Sequence, residues 1–188
     1  MTGLAASVDT LERALRQELP ELQMERRVLM ARYTTLHLGG EADLFCEPAT
    51  PDMLGQVLRT AHGLGIPVTI IGHGSNLLVR DGGIRGLTVR IAREMRGIET
   101  SGDTIRAEAG VMLSTLAMTA AEHSLGGLTF ASGIPGTVGG GVTMNAGAYG
   151  GEMSDVVIRV EGFTPDGTPF SWSRPELAFG YRTSRVQQ

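Results

Sequence analysis

Lysine is absent from this 188-residue chain, and all 16 basic side chains are arginine. That removes the phosphate-binding lysine of a P-loop and every lysine Schiff base. Cysteine occurs once, at Cys46. One thiol excludes an intrachain disulfide framework and any multi-cysteine zinc or iron–sulfur site, and it suits a reducing compartment. Aromatic residues make up 5% and the formal net charge is −4. Few stacking platforms and an acidic balance argue against nucleic-acid binding, although a local arginine patch could hold a small anion. The N-terminus has no basic region followed by an apolar stretch and a cleavage site, so a cytoplasmic protein is expected. Long apolar runs are missing too. Residues 124–151 carry no charge or histidine, but ten glycines and Pro135 interrupt them. They read as buried loop, and no membrane insertion is expected. His37, His62, His73 and His123 show no metal-ligand spacing, and no Gly-x-Ser-x-Gly elbow occurs.

Glycine is abundant and unevenly placed. Of 27 glycines, Gly3 alone falls in the first 38 residues and ten lie between 126 and 151. Glycine costs backbone entropy on folding, so dense glycine in a neutral segment signals tight turns or backbone that must approach something closely. The length suits one domain or two small lobes. Around the glycines, apolar spacing marks the elements. A helix is predicted from a capping box at Asp9 and Glu12 to Pro20, with Leu11, Ala14, Leu15 and Leu19 on one face. A second is predicted from Thr50 and Pro51 to Gly63. Strands are predicted at 67–71, 77–79 and 87–91, and a hairpin at 98–109 about Ser101-Gly102-Asp103. A helix from Leu113 and a hairpin about Pro165-Asp166-Gly167 follow, and Ser173 with Glu176 could cap a short turn. The plainest boundary falls at 93–97.

Three segments could carry chemistry. Gly72-His73-Gly74-Ser75-Asn76 follows an apolar strand, where backbone N–H groups can form an anion-binding concavity suited to a diphosphate. Leu77 occupies the third glycine position of a dinucleotide fingerprint, which disfavours a Rossmann site. The second segment combines Gly133-Ile134-Pro135-Gly136-Thr137-Val138-Gly139-Gly140-Gly141 with Asn145-Ala146-Gly147-Ala148-Tyr149-Gly150. It offers backbone amides, hydrogen bonds from Thr137 and Asn145, and an aromatic surface at Tyr149, or it is a buried crossover between lobes. The third, Tyr181-Arg182-Thr183-Ser184, offers a guanidinium for a carboxylate or phosphate.

With YTTLHLGGEADL at 33–44, IGHGSNLLVRDGGIRG at 71–86, GIPGTVGGGVTMNAGAYGGE at 133–152 and FGYRTS at 179–184, the sequence resembles the UDP-N-acetylenolpyruvylglucosamine reductase family. The resemblance implies an α+β fold, the two-lobed FAD-binding domain of the vanillyl-alcohol-oxidase/PCMH type, with the flavin between the lobes. It implies a helical segment at 1–32, a first lobe at 33–95 and a second lobe at 96–188. It also implies non-covalent FAD, NADPH as co-substrate, and UDP-N-acetylglucosamine enolpyruvate as the compound reduced to UDP-N-acetylmuramate for peptidoglycan. By carry-over, Gly72, His73, Gly74, Ser75 and Asn76 would line the diphosphate. Ile134, Pro135, Gly136, Thr137, Gly139, Gly147 and Tyr149 would surround the flavin and its ribityl chain. Arg182 matches the active-site arginine, and Tyr181 belongs to the substrate-contacting block.

Two departures stand out. The family's chains continue beyond the FGYR block into a last strand and a substrate-binding domain that carries a serine proton donor and a glutamate. This sequence ends at Gln188, so an incomplete second lobe, no substrate-binding domain and no activity alone are expected. Ser184 belongs to the FGYR block and is not that serine. His73 stands where a glycine or small polar residue is expected. A non-catalytic flavin- or nucleotide-binding module is the alternative, and a covalent flavin oxidase attached through His73 or Cys46 is a third reading.

Overall fold

The computed structural model describes residues 2–187, with side chains from residue 8 onward. The chain divides into two compact units. One comprises residues 2–94 and 162–170, the other 95–161 and 171–187.

The first unit is a four-stranded sheet with two helices. Its elements are α1 (Thr2–Glu18), β1 (Gln23–Leu29), β2 (Glu41–Glu47), α2 (Pro51–Gly63), β3 (Val68–Ile71) and β4 (Ile84–Arg90), and the strand order is β1-β2-β4-β3. β1 runs antiparallel to β2, while β2 and β3 both run parallel to β4. Within the segment 1–32, read as helical, residues 2–18 form α1 and residues 23–29 form the edge strand β1. Leu11 and Leu15 of α1 and Val57 and Ala61 of α2 bury one sheet face with Leu44, Cys46, Leu87 and Val89. The opposite face gathers Val28, Met30, Phe45, Ile71 and Val79. α2 starts as its sequence dictates, because the Thr50 hydroxyl accepts from the Met53 N–H (3.2 Å) and Pro51 opens the first turn.

Two expectations fail here. Asp9 and Glu12 do not cap α1, which begins at Thr2. They sit mid-helix, where Asp9 meets Arg26 at 2.5 Å and Glu12 pairs with Arg26 and Arg16. The same three-residue spacing therefore ties α1 to β1. Residues 77–79 form no strand. Both edges of β4 are taken by β2 and β3, so the 72–83 segment is the crossover that parallel neighbours require. It buries Val79 and is tied down at several points, as where Gly40 N–H reaches the Arg80 carbonyl (3.0 Å).

The second unit is assembled from short pieces. These are the hairpin β5 (Ile98–Ser101) and β6 (Thr104–Ala107), α3 (Leu113–Glu122), α4 (Val138–Thr143), the two-residue strands β7 (Gly147–Ala148) and β8 (Gly151–Glu152), and α5 (Met153–Val156). β9 (Arg159–Phe163) and β10 (Pro169–Ser173) form the last hairpin, whose tip at 162–170 is counted with the first unit. The core is Leu113, Ala117, Phe130, Ala131, Val142, Ala146 and Met153. Among the described residues no helix is long and apolar enough to cross a membrane.

Candidate functional site

In the first unit, Gly72–Asn76 leaves β3 at the carboxyl end of two parallel strands, the end at which such sheets usually receive ligands. One residue anchors the loop. Gly74 has φ +72°, its carbonyl accepts from the Thr35 N–H (3.2 Å), and a Cβ there would stand 1.9 Å from the Tyr33 carbonyl oxygen. Gly74 is therefore glycine because backbone passes against it. Gly72, His73 and Asn76 hydrogen-bond no other described residue, and the latter two are exposed. Their amides are available to the oxygens of a diphosphate. Ser75 is half-buried.

Tyr33, whose backbone passes against Gly74, belongs to a mostly half-buried cluster. The Tyr33 ring lies 4.6 Å from that of Phe45, and the Arg90 guanidinium sits 5.0 Å above Tyr33 while pairing with Glu47 at 2.8 Å. Cys46, one residue from Phe45, is fully buried, and desolvation pushes its thiol up to about 12. A thiol buried and held in its protonated form is poorly suited to covalent attachment.

In the second unit the long glycine stretch turns out to be heavily self-bonded. Val138 and Gly139 amides donate to the Val111 and Ala109 carbonyls (2.8 and 2.9 Å), and Leu113 N–H donates to Gly136 (3.0 Å). A Cβ on Gly139 would meet the Ala109 Cβ at 3.0 Å, and one on Gly141 the Leu113 side chain at 3.1 Å. Gly136 has φ +130° and is buried with Thr137, whereas Ile134 is half-buried and Pro135 exposed. The amide of Gly139 is committed, so any part it has toward a ligand is to leave room for one.

Farther along, the segments 145–155 and 181–182 line a recess of about 420 Å³. It joins Gly147, Tyr149, Tyr181 and Arg182, which the sequence singled out, with Glu152 and Asp155, which it did not. Tyr149 is 94% exposed and Tyr181 is 89% exposed, an unusual pair of bare rings on one depression. The Arg182 guanidinium lies 5.6 Å over the Tyr181 ring. Three lining residues that are not glycine have positive φ: Asn145 at 42°, Tyr149 at 53° and Arg182 at 55°. Such strain is more common at binding sites than elsewhere.

Asn145 is engaged mainly within the protein. Its Nδ2 donates to the Gly180 carbonyl (3.0 Å) and its Oδ1 accepts from the Ser154 N–H (2.9 Å). Glu152 caps α5 reciprocally with Asp155. Hydrogen bonds from Ser154 and Asn145, then the charge of Arg182, hold its carboxyl below the usual range, so it stays ionised. The Glu152-x-x-Asp155 spacing was the sequence signal for this pair. Ser184 is buried and donates to the Thr143 carbonyl (3.0 Å). Among the described residues no group of three or more His, Cys, Asp or Glu could hold a metal.

Comparison with known proteins gives these features a context. A family model described as an FAD binding domain matches residues 42–173. The chain is 46% identical over 168 residues to the UDP-N-acetylenolpyruvoylglucosamine reductase of Levilactobacillus brevis, covering 89% of this chain and 55% of that protein. A crystal structure of UDP-N-acetylenolpyruvylglucosamine reductase from Thermus caldophilus matches with a TM-score of 0.75 at 39% identity, over 87% of this chain and 57% of that one. At 19% identity, 6-hydroxy-D-nicotine oxidase from Arthrobacter nicotinovorans matches over 87% of this chain and 41% of its own with a TM-score of 0.64, a likeness of fold alone. The chain spans about half the length of the curated relatives it matches.

Proposed function

The chain belongs to the FAD-binding-domain family, and from that premise we propose that it is the flavin-carrying portion of a cytoplasmic, NADPH-dependent reductase of UDP-N-acetylglucosamine enolpyruvate. The observation that carries the reading is the recess in which Arg182 stands beside two exposed tyrosines, in a chain 46% identical to a reductase of that name. Gly72, His73, Gly74, Ser75 and Asn76 are assigned to the diphosphate of FAD. The unpartnered amides of Gly72, His73 and Asn76 fit such a group. Ile134, Pro135, Gly136, Thr137, Gly139, Gly147 and Tyr149 are assigned to the flavin and ribityl chain. Attachment is non-covalent, in keeping with the buried, protonated Cys46.

Bound FAD supplies a hydride acceptor for NADPH and a hydride donor for the enolpyruvyl double bond. The chain's own contribution is electrostatic. As hydride adds to the terminal carbon of that bond, the electron pair moves toward the neighbouring carbon and its carboxylate. The Arg182 guanidinium stabilises that charge through paired N–H donors. Tyr181, under Arg182, lends the substrate an aromatic surface. The enolate then takes a proton at the carbon bearing the carboxylate. Two side chains are unsuited to give it. Glu152 is held ionised, and the Ser184 hydroxyl is buried on the Thr143 carbonyl.

The test is a titration with FAD, followed by UDP-N-acetylglucosamine enolpyruvate read through the visible flavin band, for the chain and for Arg182→Ala. FAD affinity should be equal in the two, and affinity for the enolpyruvyl compound should fall about 10- to 100-fold in the variant, the range for a lost charged hydrogen bond. Equal substrate affinity would refute the role of Arg182, and absence of FAD binding would refute the reading as a whole.

A further inference from the structure

Arg182 sits at the tip of an exposed turn. Gly180 and Thr183 exchange two backbone hydrogen bonds, at 3.1 and 3.3 Å, and Tyr181, Arg182 and Thr183 between and beside them are exposed. Exposed tips of this kind are ordinarily mobile. Here the turn is gripped on both sides by buried side chains. Before it, the Gly180 carbonyl accepts from Asn145 Nδ2 (3.0 Å), and after it, Ser184 Oγ donates to the Thr143 carbonyl (3.0 Å). Asn145 is 2% exposed and Ser184 is 1% exposed. Both grips end at one place, the carboxyl end of α4, where Thr143 is the last helical residue and Asn145 lies two residues on.

Chemistry fixes the direction of each grip. Asn145 uses its amide to donate to Gly180 and toward the Glu152 carboxylate, and its oxygen to accept from Ser154, so neither group can swing to another partner without leaving a buried polar atom unsatisfied. Asparagine also tolerates the φ of 42° that this position adopts. A guanidinium that must meet a developing charge has to be held closely, since misplacement by about 1 Å can cost about 100-fold in rate.

We propose that Asn145 and Ser184 are positioning residues for Arg182, clamping its turn to the end of α4 so that the guanidinium is held ready for a carboxylate. This rests on the role of Arg182 given above. A fold-stabilising role alone predicts something different, and three substitutions separate the two. Asn145→Asp keeps the shape and the acceptor for Ser154 but cannot donate to Gly180 and sets a second carboxylate beside Glu152, so the Ser184 pair carries the discrimination. Ser184→Ala removes the second donor, and Ser184→Thr retains it.

The readout is the backbone and Nε order of Arg182 by nitrogen-15 relaxation in the 188-residue chain, with the melting midpoint and FAD affinity measured beside it. Asn145→Asp and Ser184→Ala should take Arg182 from a rigid order parameter of about 0.85 to below about 0.6, with α3 unchanged, and Ser184→Ala should keep FAD affinity within about twofold. Ser184→Thr should behave as the parent. Unchanged order at Arg182 in both variants would overturn the proposal, as would an equal loss throughout α3. If Asn145→Asp does not fold, the Ser184 pair decides alone. Failure of the parent chain to bind FAD would sink the proposed function, whereas the clamp is judged without flavin.

Discussion

Two glycine-rich segments, 72–76 in the first unit and 133–151 in the second, look alike as sequence and differ in what their glycines do. In the short loop Gly74 is locked against the Tyr33 backbone, and its neighbours Gly72 and His73 have no hydrogen-bond partner among the described residues. In the long stretch the amides of Val138, Gly139 and Gly141 are already spent on Val111, Ala109 and Thr137. There the glycines let segments touch, as where a Cβ on Gly147 would lie 2.7 Å from that of Glu152, or one on Gly151 would lie 3.0 Å from the Phe130 ring. Glycine density thus reports close backbone approach. Whether a ligand or the protein itself makes the approach depends on which amides remain unpaired.

The contrast is broken most severely at Gly74. Gly74→Ala places a Cβ 1.9 Å from a backbone oxygen at a φ that L side chains rarely adopt. A loss of about 3 kcal/mol or more in urea unfolding, together with FAD binding, is expected. A smaller change would mean that the loop shifts freely.

Next in size is an alkaline effect confined to the first unit. The Cys46 thiol is pushed up to about 12 by burial, from an ordinary value of 9.0. Its raised value means the folded state keeps a proton that the unfolded state sheds. The contribution is full below about pH 9 and shrinks by about 1.4 kcal/mol per pH unit as pH rises toward 12. Between about pH 9 and 10.5 the parent should lose about 2 kcal/mol more than Cys46→Val. Parallel pH curves would contradict this.

Smaller still, Thr50→Ala removes the N-cap of α2 and should cost about 1 kcal/mol by the same unfolding measurement. A neutral result would place the start of α2 under tertiary control. At the low end, Gly133→Ala sharpens the comparison. A Cβ there meets nothing nearer than Tyr149 Cε2 at 3.9 Å, and Gly133 has no positive φ. Stability should stay within about 0.5 kcal/mol, as for surface changes that touch no special feature. A loss approaching that of Gly74→Ala would erase the distinction between the two segments.

Elements with a strong local signal were legible in the sequence. α2 has its cap and its proline, and the β5–β6 hairpin turns at Gly102 with φ +58°. β1 escaped notice because QMERRVL is a charged edge strand in which Val28 alone is buried. β2 escaped because its inner residues are buried on both faces and show no alternation. α4 was hidden by three glycines, poor helix formers, of which those at 139 and 141 lie where a Cβ would press on Ala109 and Leu113. At the recess, Tyr149, Tyr181 and Arg182 stood out as exposed-type chemistry on loops. Asn145 read as a ligand contact because sequence cannot show that both arms of its amide are used.

The most direct test of the account is a titration of the purified chain with FAD followed by acid precipitation. The account predicts saturable binding, a shifted flavin spectrum, and yellow FAD recovered in the supernatant. Absence of saturable binding, or flavin retained in the precipitate, would contradict it.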